Sequence, residues 1–471
     1  MNKFTYKEQR EGRIVLSNII LNRLFTQQVF SDIIYHEKNK TYCEVVRRFV
    51  NEPSTKSNGR IISEIYRHMS TGYRNEYFYQ NTLLKDECVY FPKGTYLTGS
   101  LNLHSDMELF IEDGAVIKGS TEVDDYLPKR PSRFEGYEMM CYSSLINMGE
   151  MDHTKGYNCE NVVIRGGGMI SGGGKELRKN VLDVERERLK DYMESLGDKI
   201  KTYENNDTIP GRARPRLVNM SNCQNIIISN VTMEYGPAWN VHMIYSENII
   251  TEGCTIRSKG VNNGDGWNPD SSVNCTLFDT DFDTGDDMVA IKSGKNPEGD
   301  KIARPSVNIK VFDCRGNGYG CAIGSEMSGG VSDVSIWDCD FTKVFGGIVI
   351  KGTPERGGYI KNVSVKNCTL STIQILSSVN FNNDGEAADD MPYFENFEFS
   401  NIKIKGITGN CDTGEFSTSP AVYLSGFEKE GHRLKNVKLK NIYLPRHSDG
   451  SEQSIEMIAC EGVSFENIIS E

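Results

Sequence analysis

The sequence predicts an all-β chain: a right-handed, single-stranded parallel β-helix, a solenoid, with a short helical segment at its N-terminus. Three observations lead there. From Asn161 onward a loose repeat recurs at roughly 20 to 40 residues, in copies such as CQNIIISNVTM, SENIITEGCTI, SVNIKVFDC, IKNVSVKNC and LKNVKLKNI. Within each copy apolar and polar residues alternate with a period of two, the pattern of a strand. Each copy is also too short to bury its own apolar side chains, so the copies must stack on one another.

The repeat fixes the details of a coil. An Asn or Ser opens the unit, apolar residues alternate, and an Asn, Asp or Cys closes it, so the Asn side chains are expected to form ladders at the coil corners. Cys223, Cys314, Cys339 and Cys368 are expected to be structural, buried thiols. A β-propeller is the competing architecture, but four strands per blade of about 40 residues do not fit the irregular insertions.

The domain reading is residues 1–85 as a helical N-terminal segment and 86–471 as the β-helix. The runs IVLSNIILNRLFTQQVFSDIIYH and IISEIYRHMSTGYRNEYFYQNTLL carry apolar residues at helical spacing. They are expected to form two or three helices that cap the solenoid, or a separate binding element. At Val89 the texture changes to short alternating runs broken by Gly, Asp and Asn. The charged stretch 175–211 interrupts the repeat and is expected to form a helical excursion, either solvated or walling a cleft.

The chain of 471 residues exceeds the usual ceiling for one compact core, a ceiling that solenoids escape because each repeat packs only on its neighbours. A net charge of −12 argues against nucleic acid as a partner. No apolar stretch approaches the length that spans a bilayer. The start MNKFTYKEQREGRIVL shows no signal-peptide pattern, and thirteen cysteines without a CxxC pair suit a reducing compartment. The expected location is cytoplasmic. Nothing in the sequence sets the oligomeric state.

The chemistry concentrates in residues 260–294, GVNNGDGWNPDSSVNCTLFDTDFDTGDDMVAIKSG. Asp265 and Asp286 are 21 residues apart, close to one short coil. One coil of displacement sets residues about 4.8 Å apart along the stack, so these side chains can meet. Asp287 follows directly, and a bend beside Gly285 must turn both acids outward. Three crowded carboxylates raise at least one pKa, leaving a proton donor beside groups that can activate water. Inverting glycoside hydrolysis needs that pairing. Calcium loops are the other reading of NGDG and TGDD.

The runs NGDGWNPDSS, FDTGDDMVAIKSG, GYGCAIGSEMSGG and IVIKGTPERGG resemble glycoside hydrolase family 28, the polygalacturonase and pectin-backbone hydrolase family, and in particular its exo-acting bacterial branch. FPKGTYLTGSLNLHSDMELFIEDGAVIKGS and RPRLVNMSNCQNIIISNVTMEYGPAWNVHMIYSENI are similar to the same branch. The resemblance runs from about Val89 to the C-terminus. It implies that Asp286 is the general acid and that Asp265 and Asp287 hold and deprotonate the attacking water. It places the family's Asn-Thr-Asp element on Asn263, Gly264 and Asp265.

Two departures stand out. The family's Gly-His-Gly reads Gly318, Tyr319, Gly320, and its Arg-Ile-Lys reads Val349, Ile350, Lys351. Loss of a guanidinium weakens carboxylate recognition, because Lys is only a point charge. The remaining substrate-binding candidates are Asn263, Lys292, Tyr319, Glu326, Lys351, Arg356 and His242. Trp239 is expected to pack in its coil, and Trp267 is a further candidate.

The expected function is hydrolysis, by inversion and from chain ends, of α-linked pectic oligosaccharides containing galacturonate. No cofactor or metal is called for, and the expected partner is the oligosaccharide alone. The alternatives are a rhamnogalacturonan- or xylogalacturonan-type hydrolase, a calcium-dependent pectate lyase, and a glycan-binding solenoid without activity.

Overall fold

In the computed structural model the described residues are 87–470, apart from 204–206, 345, 380–385, 406, 410–415, 419 and 447–453. The expected N-terminal helical segment lies outside them. Among the described residues, twenty strands join one sheet and eleven join another, and the neighbouring strands paired within both run parallel. Each coil contributes one short strand to the smaller sheet and two runs to the larger. Val241–Ile244, Glu247–Glu252 and Thr255–Arg257 make one such coil. Trp267–Asp270, Val273–Asp283 and Val289–Ile291 continue the winding into the next. This is a parallel β-helix.

The corners are built by asparagine. Asn161, Asn225, Asn248, Asn274 and Asn308 all sit at positive φ between 56° and 59°, a conformation that Asn tolerates better than other L residues with side chains. Their amides bond in series: Asn225 to Asn161 at 3.2 Å, Asn248 to Asn225 at 3.1 Å, Asn274 to Asn248 at 3.2 Å, Asn308 to Asn274 at 2.7 Å. A second ladder joins Asn367, Asn401, Asn441 and Asn467. Each ladder bond satisfies one coil's corner amide with its neighbour's, which fixes coil on coil. Cys223, Cys314, Cys339 and Cys368 are buried thiols, as the repeat implied.

Inward-facing residues stack into one continuous core. In the smaller sheet the column Val218, Val241, Trp267, Val289, Cys321, Ile348 and Ile373 runs along the interior in register. Alternate residues of the same strands face out, so Asn219, His242, Asn268, Ala290, Ala322, Val349 and Gln374 share the outer face. The charged insertion forms the helices Gly174–Arg188 and Lys190–Leu196, with Leu177 and Val181 packed on the core. The antiparallel hairpin Arg130–Phe134 with Tyr137–Cys141 is tied to the smaller sheet through Arg133, which donates to Asp270 at 2.7 Å.

Candidate active site

The acids lie where successive coils enter the smaller sheet. Asp265 precedes Trp267–Asp270, and Asp286 and Asp287 precede Val289–Ile291. The backbone stacks them: Gly266 N donates to Asp287 O at 2.9 Å, and Tyr319 N on the next coil donates to Asp286 O at 3.1 Å. The bend 284–288 is not a strand. Thr284 Oγ1 donates to Asp286 O at 2.8 Å, and Asp287 N donates to Asp286 Oδ1 at 2.9 Å. Gly285 belongs in this bend because a Cβ would meet Val261 O at 2.5 Å.

Two lysines bind the cluster together. Lys292 Nζ stands 3.5 Å from Asp265 Oδ2 and 3.1 Å from Glu326 Oε2, and 4.6 Å from the Trp239 ring centroid. Lys351 Nζ stands 3.3 Å from Asp287 Oδ2. Asp265, Asp287, Lys292 and Glu326 are each less than 10% exposed. The site is thus a desolvated patch of alternating charge on the solenoid face.

Burial first, then the neighbouring Asp286 and Asp287, holds Asp265 well above the ordinary carboxylate range, against the pull of Lys292. Asp286 is pushed up to about 6, by burial and then by Asp287, with Lys351 opposing. Burial works against the charge of Glu326, yet Lys292 brings its pKa below the ordinary value. Burial also opposes the charge of Lys351, but Asp287 and Asp286 raise its pKa. Burial and like charge therefore favour the protonated forms of Asp265 and Asp286, while cations favour charge on the neighbouring acids.

The other predicted residues divide into two groups. Asn263 flanks Asp265, and its Oδ1 accepts from Arg214 Nη2 at 2.7 Å. Tyr319 is half-buried on the coil after Asp287. His242 and Arg356 are covered and do not reach solvent. His242 is fully buried, its Nε2 is 3.2 Å from Asp270 Oδ2, and burial lowers its pKa to about 4. Arg356 donates to Ser325 O at 2.8 Å and Asn296 Oδ1 at 2.6 Å, bracing two turns. Trp267 is in the core, donating to Thr251 Oγ1 at 3.0 Å. Trp239 stacks on Phe134 at 4.7 Å.

Sequence reasoning missed Arg214 and Arg216. Their guanidinium carbons lie 5.0 and 4.5 Å from the Phe134 ring centroid. Burial lowers the pKa of Arg214 to about 10. The signal was the run RARPR at 212–216, three arginines at a spacing of two beside a strand.

Residues 92–465 match the family model described as Glycosyl hydrolases family 28. The chain belongs to glycosyl hydrolase family 28. Among its relatives are a "Probable polygalacturonase" of Vitis vinifera, 33% identical over 61% of this chain and 54% of that protein, and an "Exo-poly-alpha-D-galacturonosidase" of Dickeya chrysanthemi, 25% identical over 80% of this chain and 65% of that one. The chain therefore spans less than two thirds of the length of these two relatives. The crystal structure of an exopolygalacturonase from Thermotoga maritima is 26% identical, with a TM-score of 0.64 over 82% of this chain and 84% of that one.

The structure gives the family-28 departures a setting. Val349 occupies the outer face between Ala322 and Gln374, in register with both, two residues before Lys351 on the same strand. Lys351 is drawn toward Asp287. The floor beside the acids thus runs Ala290, Ala322, Val349, without a cation in that column.

Proposed function

We propose that this family-28 chain hydrolyses α-linked, galacturonate-containing pectic oligosaccharides with inversion, from chain ends. The observation that carries the reading is the meeting of Asp265, Asp286 and Asp287 on successive coils between Lys292 and Lys351. Asp286, with a pKa raised to about 6 and a half-buried side chain, is the proton donor to the glycosidic oxygen. Asp287, ion-paired to Lys351, takes the proton of the attacking water, and Asp265, whose protonated form burial favours, helps to hold that water. The exo preference is supported by the names of the Dickeya and Thermotoga relatives. No cofactor enters this scheme.

A second reading concerns the leaving sugar. The strip Ala290, Ala322 and Val349 favours a sugar without a free carboxylate on that side, as in a rhamnogalacturonan-type linkage, or one that carries a neutral branch, as in a xylogalacturonan-type linkage. Reducing-sugar release from oligogalacturonides, rhamnogalacturonan fragments and xylogalacturonan fragments separates the two, with Asp286→Asn as the blank. Release from oligogalacturonides alone supports the first reading, and release only from rhamnose-containing or branched fragments supports the second. No release from any of them overturns both. Proton NMR of the first-formed anomer tests inversion.

A further inference from the structure

Asp265 is ion-paired with Lys292, and its place depends on what holds that lysine and the loop around the acid. Lys292 Nζ reaches Asp265 Oδ2 at 3.5 Å and lies 4.6 Å from the centroid of the Trp239 ring. The residue after Trp239 holds the aspartate's own backbone. Asn240 N donates to Asp265 O at 2.8 Å, and Asn240 Nδ2 donates to it at 3.1 Å. On the other side, Arg214 ties down the loop that leads into Asp265. Its Nη1 donates to Asn262 O at 3.0 Å and its Nη2 to Asn263 Oδ1 at 2.7 Å.

Both supports meet on one ring. Phe134 lies parallel to Trp239, with centroids 4.7 Å and planes 5° apart. The guanidinium carbon of Arg214 is 5.0 Å from the centroid of the same ring, and that of Arg216 is 4.5 Å away. Arg216 also lies 5.4 Å from the Trp239 centroid and donates to Arg214 O at 2.6 Å, which closes the group. Phe134 and Trp239 cluster with Cys141 and Ala238, apart from the solenoid core. Stacked rings and cation–ring contacts are directional, so the ring sets its neighbours' orientation as well as their spacing.

Phe134 stands outside the solenoid wall. It ends the first strand of the hairpin Arg130–Phe134 with Tyr137–Cys141, and the hairpin is anchored apart from the acids. Arg133 donates to Asp270 Oδ1 at 2.7 Å and to Ser271 Oγ at 2.9 Å. At the turn, Gly136 packs so closely on Lys295 that a Cβ would stand 2.3 Å from the lysine's own Cβ. Held at both points, the hairpin brings one ring to a fixed place between Trp239 and Arg214.

We propose that Phe134 is a positioning residue for Asp265, acting through Trp239, Asn240 and Lys292 on one side and through Arg214 and Asn263 on the other. That role rests on the proposed function, in which Asp265 helps to hold the attacking water. Phe134 is buried and has no polar side-chain atom with which to bond a sugar or move a proton. It contributes to the geometry of the step and not to the affinity for substrate.

Phe134→Leu keeps an apolar side chain and removes the ring face. It is expected to lower kcat about 10- to 100-fold, while KM changes by less than about twofold. In an Asp265→Asn background the same substitution is expected to change kcat by less than about twofold, because the group it positions is gone. Trp239→Leu, which breaks one support and leaves the hairpin sequence intact, repeats the cycle should Phe134→Leu fail to fold. Losses of equal size in both backgrounds would overturn the proposal, as would an unchanged kcat or an effect confined to KM.

Hydrogen exchange reads the same loop without substrate. The Gly264 and Gly266 amides, bonded to Val261 O and Asp287 O, are expected to exchange about tenfold faster in Phe134→Leu. Val363, in the strand Tyr359–Lys366, is expected to be unaffected. Unchanged exchange at Gly264 and Gly266 would overturn the proposal. Failure of the unsubstituted chain to release any sugar would count against the proposed function instead, and the exchange rates would still decide whether Phe134 holds the loop.

Discussion

Lys292 Nζ lies between Asp265 Oδ2, at 3.5 Å, and Glu326 Oε2, at 3.1 Å, with all three side chains buried. One ammonium thus serves two carboxylates from different coils, and the acid cluster depends on it as much as on its own geometry. Removing it leaves buried charge without a partner. Lys292→Met should lower stability by about 3–5 kcal/mol, read from the urea midpoint. A loss below about 1 kcal/mol would mean that the two acids carry little charge in the native state.

Asp286→Asn should cut turnover about 10²- to 10⁴-fold, the usual contribution of a general acid, while the thermal midpoint stays put. The amide mimics the neutral acid in shape and adds no charge to the cluster. Near-normal reducing-sugar release from this variant would remove Asp286 from the proposed mechanism.

The acid must be protonated to act, so kcat/KM should fall as pH rises through the pKa of Asp286, about 6. Lys351 favours the ionised form of Asp286. Its removal should raise that pKa, and Lys351→Met should move the alkaline limb of the pH profile upward. A downward shift, or none, would show that Lys351 does not act on the proton donor.

Val349→Arg would place a guanidinium over the apolar strip two residues from Lys351. For substrates with a carboxylate on the leaving sugar, kcat/KM should rise about 10- to 100-fold relative to neutral-flanked ones, the value of a charge-assisted bond. Equal effects on both substrate types would mean that Val349 does not face the leaving sugar.

Asn274 sits at φ 57° and bonds both Asn248 and Asn308. Asn274→Ala should cost about 2–3 kcal/mol, combining left-handed strain with lost ladder bonds. Asn274→Gly should cost less, because glycine adopts that φ freely. Thermal midpoints of the two variants give the order, and Gly falling below Ala would show that the ladder bonds outweigh the backbone term.

The coil repeat was legible because it is local. Period-two alternation, a corner Asn and a closing Cys recur in sequence, and stacking maps each copy onto its neighbour. The one-coil spacing between Asp265 and Asp286 was legible for the same reason. Arg214 was not, since its contact with Asn263 comes from coils 49 residues apart and follows from where the backbone turns. The positions of His242 and Arg356 were not legible either, because burial of an outward residue depends on what later folds over it.

The sequence by itself determined the solenoid, its corners and the presence of three aspartates at one-coil spacing, all consequences of a repeat that each strand carries within itself. Only the tertiary structure decided which cations meet which acids. Lys292 reaches Glu326 and Lys351 reaches Asp287 across coils that lie 34 and 64 residues apart. It also decided that burial raises the pKa values of Asp265 and Asp286, because desolvation belongs to a place in the fold and not to a residue type.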